Sequence, residues 1–154
     1  MLDNPKTDPF DFAITSNAET VNKFLNDKRY EVRQTNNLYY RYLMFNLDGR
    51  SGNRAGLLQK QEVRQALVIA LDRKAILKKI YGEAAVAING GIPRMDSWYV
   101  AKDADLISYD PQRALQMLKE AEFDFEETLV LTRYHQDELS VKLLEEIASY
   151  WNAI

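Results

Sequence analysis

Residues 62–76 read EVRQALVIALDRKAI, and this stretch decides the fold. It lies within a longer stripe, residues 59–81, in which apolar side chains recur every three or four positions, as on one face of an α-helix. Asp72 interrupts the stripe and is a good N-cap residue, so we expect one helix to end before it and a second to begin after it. Gly82 then predicts the end of the second helix.

Three further helices are predicted on either side of this stretch. Ser16 precedes Glu19 by three residues, which is a capping box and predicts a helix that runs to about Asn26. Asp110 followed by Pro111 predicts another helix start, and the small and apolar residues after it form a buried face. A last helix is expected over residues 136–151, with a row of leucine, isoleucine and tryptophan side chains on one side.

Four segments rich in β-branched and aromatic residues favour strands. Residues 10–15 form a short strand, residues 30–35 and 38–46 form a hairpin through the turn at Asn36 and Asn37, and residues 128–132 form a nearly continuous buried strand. Strands that alternate with helices indicate an α/β domain. The expected fold is therefore a mixed sheet flanked by helices.

Composition limits the possible functions. The chain has 154 residues, enough for one domain, and its 20 basic against 23 acidic side chains give a net charge of −3, which argues against nucleic acid as a partner. Cysteine is absent from the sequence, so disulfides and thiolate metal sites are excluded. Residues 1–9 carry no apolar targeting segment and are interpreted as a disordered entry segment or a vector-derived one. Residues 10–154 are interpreted as a single domain.

Catalytic chemistry has little support. His135 is the sole histidine, and it lies between a predicted strand and a predicted helix, where catalytic groups often occur. No second histidine or paired carboxylate stands at ligand spacing beside it, and Asp137 and Glu138 more simply favour the positive end of the following helix. We therefore expect no enzyme, no metal and no cofactor.

Aromatic residues are the better candidates for ligand contact. Tyr39, Tyr40, Tyr42 and Phe45 follow each other closely, and they could form a stacking surface or pack in the core of a strand that is buried on both faces. The core interpretation is favoured on residue pattern alone. A second candidate is Trp98 with Tyr99, in the long irregular stretch 84–110 that also contains Asn89, Gly90 and Gly91.

The order of these pieces resembles the family 5 extracellular solute-binding proteins, the oligopeptide and dipeptide receptors of ABC importers. The residues that carry the resemblance are the aromatic run 38–46, a glycine-rich segment, the pattern Val-Arg-x-Ala with Ala-x-Asp-Arg in residues 63–73, the Gly-x-Pro of residues 91–93 and the Tyr-Asp-Pro of residues 109–111. Glu122 departs from the pattern, because the family usually places glycine there to end the helix in a left-handed turn. We expect that helix end to be made differently. Arg64, Asp72 and Arg73 are interpreted as structural residues of the motif.

The resemblance implies a function and a fold. Such receptors have two lobes that close on a peptide, and this chain resembles a second lobe that ends before the family's principal peptide anchor. The implied fold is an α/β lobe of the type II periplasmic-binding-protein kind. The implied partners are an oligopeptide or similar small solute and a membrane permease, in a monomeric, extracellular or periplasmic lipoprotein. The candidate ligand contacts are Tyr40, Tyr42, Asn89, Gly90, Gly91 and Trp98.

Two other functions remain open from the sequence. The same fold occurs behind DNA-binding domains, so the chain could be the ligand-sensing domain of a transcriptional regulator. A small hydrolase that uses His135 is the third alternative, although no nucleophile or metal set accompanies it.

Overall fold

A computed structural model describes residues 12–15, 18–33, 35, 39–47, 55–88, 90 and 107–154. The chain divides into two compact units, Met1–Asn37 and Leu38–Ile154. The second unit contains most of the described residues and all of the buried core.

The first unit contains helix α1 (Ala18–Leu25), in agreement with the helix predicted from the capping box. A turn follows the helix, in which the backbone N–H of Tyr30 donates to the carbonyl of Asp27 over 3.0 Å. The ring of Tyr30 packs edge to face on Phe24, with ring centroids 4.9 Å apart. Arg29 forms a two-pronged bond with the Asp27 carboxylate and lowers the pKa of that carboxyl from 3.8 to about 2. These contacts stabilise the turn after α1.

The second unit is helical wherever regular structure is described. It contains α2 (Ala55–Gln59), α3 (Gln61–Ile69), α4 (Arg73–Tyr81) with a 3₁₀ turn (Gly82–Ala84), α5 (Pro111–Glu120) and α6 (Glu138–Trp151). Across the described ranges, none of the helices combines the length and the apolar character needed to span a bilayer.

The main core is formed where α3 packs on α5. Val63, Ala66 and Ala114 are fully buried, and Leu67 and Leu118 are almost so. Alanine at positions 66 and 114 lets the two helix backbones approach closely, because neither side chain extends beyond Cβ. This agrees with the first part of the apolar stripe that the sequence predicted for residues 59–81, which ends before Asp72.

A second cluster joins α4 to α6 through Leu71, Ile76 and Ile147. At the surface of this contact the ammonium of Lys79 pairs with the carboxylate of Glu146 over 2.5 Å. The indole ring of Trp151 packs against both clusters. Trp151 therefore ties α6 to the α3–α5 core.

The last four carbonyl groups of α3, which have no intrahelical partner in a regular helix end, are all hydrogen bonded. The two bonds from nearby backbone run from Ala70 N–H to the Ala66 carbonyl and from Leu71 N–H to the Val68 carbonyl. The other two come from distant elements: Trp151 Nε1 donates to Leu67 over 2.9 Å, and the Asp110 N–H donates to Ile69 over 2.8 Å. The end of α3 thus binds both α5 and α6.

Side-chain caps start α4 and α5 where the sequence predicted them: Asp72 accepts from the N–H of Ala75, and Asp110 accepts from the N–H of Arg113. Asp137, expected within the last helix, instead caps it by accepting from the N–H of Ser140, and α6 begins at Glu138. Pro111 occupies the first turn of α5, as expected. Gly82 ends α4 with a φ of 60°, which is the left-handed conformation that glycine adopts at little cost.

The end of α5 corrects one expectation. Glu122 itself adopts the left-handed conformation, with a φ of 53°. The N–H of Phe123 donates to the carbonyl of Leu118, and that of Glu122 donates to Lys119, which together form a Schellman motif. Phe123 also packs against the cluster that contains Leu118. The helix therefore ends in the left-handed turn that the resemblance implies, with glutamate in the place of glycine.

The predicted mixed sheet is wrong for the part of the chain that the structure describes. Within residues 12–15, 31–33, 39–47 and 128–133 no strand is formed. β-propensity reflects packing against cross-strand neighbours, and these segments have no such neighbours among the described residues. Residues 128–132 show what replaces a strand: Leu129 and Leu131 pack on the two helical clusters, while Val130 between them is half exposed.

The core assignment predicts a specific stability difference. Replacing Leu67 by alanine should lower the free energy of unfolding by about 2 to 5 kcal/mol, because a nearly fully buried side chain is lost. His135→Ala is the control, since His135 is exposed, and it should change stability by less than about 0.5 kcal/mol. Urea denaturation followed by circular dichroism measures both. Equally small effects would contradict the buried position of α3.

The Schellman motif predicts a stabilising substitution. Glu122→Gly removes a left-handed non-glycine residue, which costs about 1 to 2 kcal/mol, but adds unfolded-state entropy, so the net gain in unfolding free energy should be about 0.5 to 1 kcal/mol. Glu120→Gly, two residues earlier and inside α5, should instead lose about 0.5 to 1 kcal/mol. Thermal unfolding of both variants gives the sign of each stability change. A destabilised Glu122→Gly variant would contradict the left-handed conformation of Glu122.

Candidate functional site

The aromatic segment, residues 39–47, carries the candidate site on the helical unit. Its residues lie outside any helix, and the rings of Tyr40 and Tyr42 lie side by side with centroids 5.7 Å apart. In an extended backbone, residues separated by one position share a side. The contact between the two rings therefore fits an extended segment, although residues 39–47 form no strand among the described residues.

Exposure of the aromatic segment decides between the two interpretations of the aromatic run. Tyr39, Tyr42 and Met44 are 91%, 71% and 78% exposed, and Tyr40 is 47% exposed. Phe45 is only partly exposed and packs against the α3–α5 core. The favoured interpretation, core packing of the whole run, is therefore wrong for the tyrosines and holds for Phe45. Tyr40 and Tyr42, which we call the tyrosine pair, form an outward-facing aromatic surface.

Arg41 points toward α6 and lies in a cluster of polar side chains, which we call the Arg41 cluster (Arg41, Tyr81, Asp137 and Ser140). Its Nη1 donates to the hydroxyl oxygen of Ser140 over 2.6 Å, and its Nη2 lies 3.9 Å from the carboxylate of Asp137. The guanidinium carbon is 5.9 Å from the ring centroid of Tyr81, within cation–π range. The aromatic segment is thus anchored to α6 and α4 by one side chain.

The electrostatics of the Arg41 cluster follow from its hydrogen bonds. Ser140 is buried, and its hydroxyl donates to Asp137 over 2.5 Å while accepting from Arg41. The two hydrogen bonds from Ser140 lower the pKa of the Asp137 carboxyl, and the positive charge of Arg41 lowers it further. Burial raises the pKa of the Tyr81 hydroxyl, whose oxygen is buried without a hydrogen-bond partner. Asp137 is therefore held as a carboxylate that faces Arg41.

The other predicted contact residues are distributed differently. Gly90 is exposed, and a methyl group at its Cα would meet none of the described residues within 4 Å, so no close approach among them demands glycine there. Asn89, Gly91 and Trp98 lie outside the described residues. The structure therefore describes the tyrosine pair and Gly90 out of six candidates, and only the two tyrosines are brought together.

The motif arginines bind backbone carbonyls. Arg64 donates to the carbonyls of Leu58 and Gln59 at the end of α2, over 2.8 Å each. Arg73 donates to the carbonyls of Ile88 and Ile107, which are 19 residues apart in the chain. These bonds support the structural role expected for both residues.

Other features of the described residues give weaker evidence of a functional site than the aromatic segment does. An open groove of about 800 Å³ runs beside α5, and its lining is mostly polar and charged, including Lys60, Glu62 and Arg113. Lys60 already donates to the carbonyl of Ala121 and Gln116 to Glu120, so part of this lining is used within the fold. Over the described ranges, no group of three or more acidic or histidine side chains is arranged to hold a metal ion. His135 is exposed and its ring contacts that of Tyr134.

Sequence reasoning missed Ser140 and the anchoring role of Arg41. One signal was present: in an extended segment Arg41 shares a side with Phe45, so the packing of a partly buried Phe45 on the core directs Arg41 inward as well. Ser140 had no signal, because a serine in the first turn of a helix is common and its partner is 99 residues away.

The chain is similar in sequence to several known proteins. An ABC transporter peptide-binding protein of Brucella ovis, as it is named, is 32% identical over 107 residues, which are 70% of this chain and 19% of that protein. The dipeptide-binding protein of Escherichia coli K12 is 30% identical over 105 residues, 68% of this chain and 18% of that protein. Heme-binding protein A of Haemophilus influenzae is 27% identical over 111 residues, 72% and 19% of the two chains. No solved structure matches the chain.

The matched region accounts for about a fifth of the length of these relatives. The family model described as "Bacterial extracellular solute-binding proteins, family 5 Middle" matches residues 4–154, which is nearly the whole sequence. The chain therefore belongs to the family 5 bacterial extracellular solute-binding proteins.

Proposed function

We propose that this chain is one lobe of a longer receptor that captures peptides for an ABC importer, and that the tyrosine pair contacts the peptide. The observation that carries the proposal is the outward position of two adjacent tyrosine rings on a segment that is anchored to the helical core. Family membership and relatives named for peptide and dipeptide binding support the same class of ligand. These names favour a receptor over a transcriptional regulator or a hydrolase.

The chemistry of the tyrosine pair fits a peptide. Each ring offers an apolar face for a side chain or a peptide plane, and each hydroxyl offers one donor and acceptor at its edge. The rings are tilted by 41° to each other, so they form a shallow angle and not one flat surface. Tyrosine has only two side-chain torsion angles, so it loses little conformational entropy on binding. This is one reason why tyrosine is frequent in binding sites.

Several finer statements belong to the same proposal. The intact receptor is an extracellular or periplasmic lipoprotein without enzyme activity, it acts as a monomer, and it delivers its oligopeptide or similar small solute to a membrane permease. Residues 10–154 form the lobe and residues 1–9 an entry segment. Asn89, Gly90, Gly91 and Trp98 remain predicted ligand contacts beside the tyrosine pair.

A single lobe should bind peptide weakly. Ligand pockets bury most of a ligand's surface, and one lobe of a cleft offers only part of that contact. We therefore expect a dissociation constant of about 1 mM or weaker for the chain alone. A submicromolar peptide ligand of this chain would contradict the single-lobe interpretation.

A peptide titration tests the role of the tyrosine pair. The dipeptide Ala-Phe and the tripeptide Ala-Phe-Ala are added to ¹⁵N-labelled chain, and amide shifts should change first at Tyr40 and Tyr42. Tyr40→Ala should weaken the apparent affinity by about fivefold or more, which corresponds to the loss of about 1 kcal/mol expected for a binding contact.

Tyr134→Ala is the matched control, because Tyr134 is 92% exposed and lies outside the aromatic segment. It should leave the titration unchanged. Equal affinities for Tyr40→Ala and the unsubstituted chain, or equal losses for both variants, would overturn the assignment of the site. Amide spectra of both variants report whether the helical core remains folded.

A further inference from the structure

We infer that Arg41 is a positioning residue for the tyrosine pair: its hydrogen bond to Ser140 and its contact with Asp137 hold the aromatic segment so that Tyr40 and Tyr42 face outward. The inference deepens the proposed function, on which the use of the tyrosine pair rests. Arg41 itself contacts α6 and Tyr81, and we assign it no ligand contact.

Backbone bonds do not hold this part of the segment. Among the described residues, none of residues 40–45 takes part in a backbone–backbone hydrogen bond. The segment is held at its far end, where Phe45 packs on the core and the carbonyl of Leu47 accepts from Gln59 Nε2 over 3.1 Å. Arg41, between the two tyrosines, anchors the segment by its hydrogen bond to Ser140.

In an extended chain, fixing the side chain of Arg41 also fixes the orientation of its neighbours Tyr40 and Tyr42. Successive side chains point to opposite sides, so a side chain fixed on one side sets the direction of both its neighbours. Arg41 is directed at Ser140, while Tyr40 and Tyr42 on either side of it are 47% and 71% exposed. A shift by one residue would exchange the two sides and direct a tyrosine at Ser140.

The residues that Arg41 contacts are also fixed in position. Ser140 is buried, its hydroxyl is bonded to Asp137, and its backbone N–H is bonded to the same carboxylate. The ring of Tyr81 lies against the guanidinium from α4. A planar guanidinium suits this site, because it directs separate N–H groups at the hydroxyl and the carboxylate while its face meets the ring.

Backbone dynamics of the full 154-residue chain without ligand test the inference. Arg41→Gln removes the charge and Ser140→Ala removes the acceptor hydroxyl, while the backbone cap from Ser140 N–H to Asp137 stays in place in both variants. We expect ¹⁵N order parameters of residues 40–44 to fall from about 0.85 to below about 0.6 in each variant. The nuclear Overhauser effect between the rings of Tyr40 and Tyr42 should weaken in parallel.

Two further variants separate positioning from general stability. Arg113→Gln removes an exposed arginine on α5. It should change neither the order parameters of residues 40–44 nor the nuclear Overhauser effect between the rings of Tyr40 and Tyr42. Arg41→Lys keeps one charged donor and should recover part of the order, although it lacks the second arm of the guanidinium. Amide shifts of α3 should match those of the unsubstituted chain in all four variants.

The inference is overturned if Arg41→Gln and Ser140→Ala retain the original order parameters and the ring-to-ring effect. It is equally overturned if Arg113→Gln loosens the segment as much as they do. The result does not depend on peptide, because the relaxation data are recorded without ligand. Peptide-induced amide shifts that leave Tyr40 and Tyr42 unchanged would refute the binding role of the tyrosine pair, while the relaxation data would still decide the role of Arg41.

Discussion

The carbonyl groups at the end of α3 set the arrangement of the helical unit. A helix end leaves four carbonyls without intrahelical partners, and leaving such groups buried and unbonded costs about 1 to 3 kcal/mol each. Here the carbonyl of Ile69 is bonded by the backbone at the start of α5, and that of Leu67 by the indole N–H of Trp151 on α6. Any movement of α5 or α6 away from α3 breaks one of these bonds. The positions of the three helices are therefore coupled through the carbonyl groups at the end of α3.

Helix α6 carries this arrangement to the candidate site. Trp151 at its end is bonded to α3, and Ser140 near its start is bonded to Arg41 of the aromatic segment. These residues are separated by about 16 Å along the helix, at about 1.5 Å per residue. The same helix therefore contacts the core at one end and orients the tyrosine pair at the other. The contact of Lys79 with Glu146 and the packing of Ile147 on Ile76 hold its middle.

Glu122 shows how a departure from the family pattern is accommodated. Its left-handed backbone is unfavourable for a residue with a Cβ, but the two hydrogen bonds of the Schellman motif and the packing of Phe123 on the core offset this cost. The helix end is thus set by the contacts around it, and glycine would only lower its cost. The substitution changes stability at this position without changing the path of the chain.

Local signals in the sequence determined most of the described helices, but not α2 (Ala55–Gln59), where no helix was predicted. Asp72, Asp110 and Gly82 act within one turn of their own position, so their effects on helix ends could be predicted without knowledge of the rest of the fold, and the apolar stripe of residues 59–81 identified the buried face. The resemblance to the family likewise rested on residues that are close together in the sequence.

Tertiary structure alone decided whether the predicted strands formed and which side of the aromatic segment faces solvent. Strand propensity in residues 39–47 and 128–132 did not produce strands among the described residues, because a strand needs a neighbour that its own sequence does not specify. The outward position of the tyrosine pair depended on Phe45 meeting α3 and α5 and on Arg41 meeting Ser140, 99 positions away. Such contacts join residues that no local pattern relates, and so only the folded chain determines which side of an extended segment faces solvent.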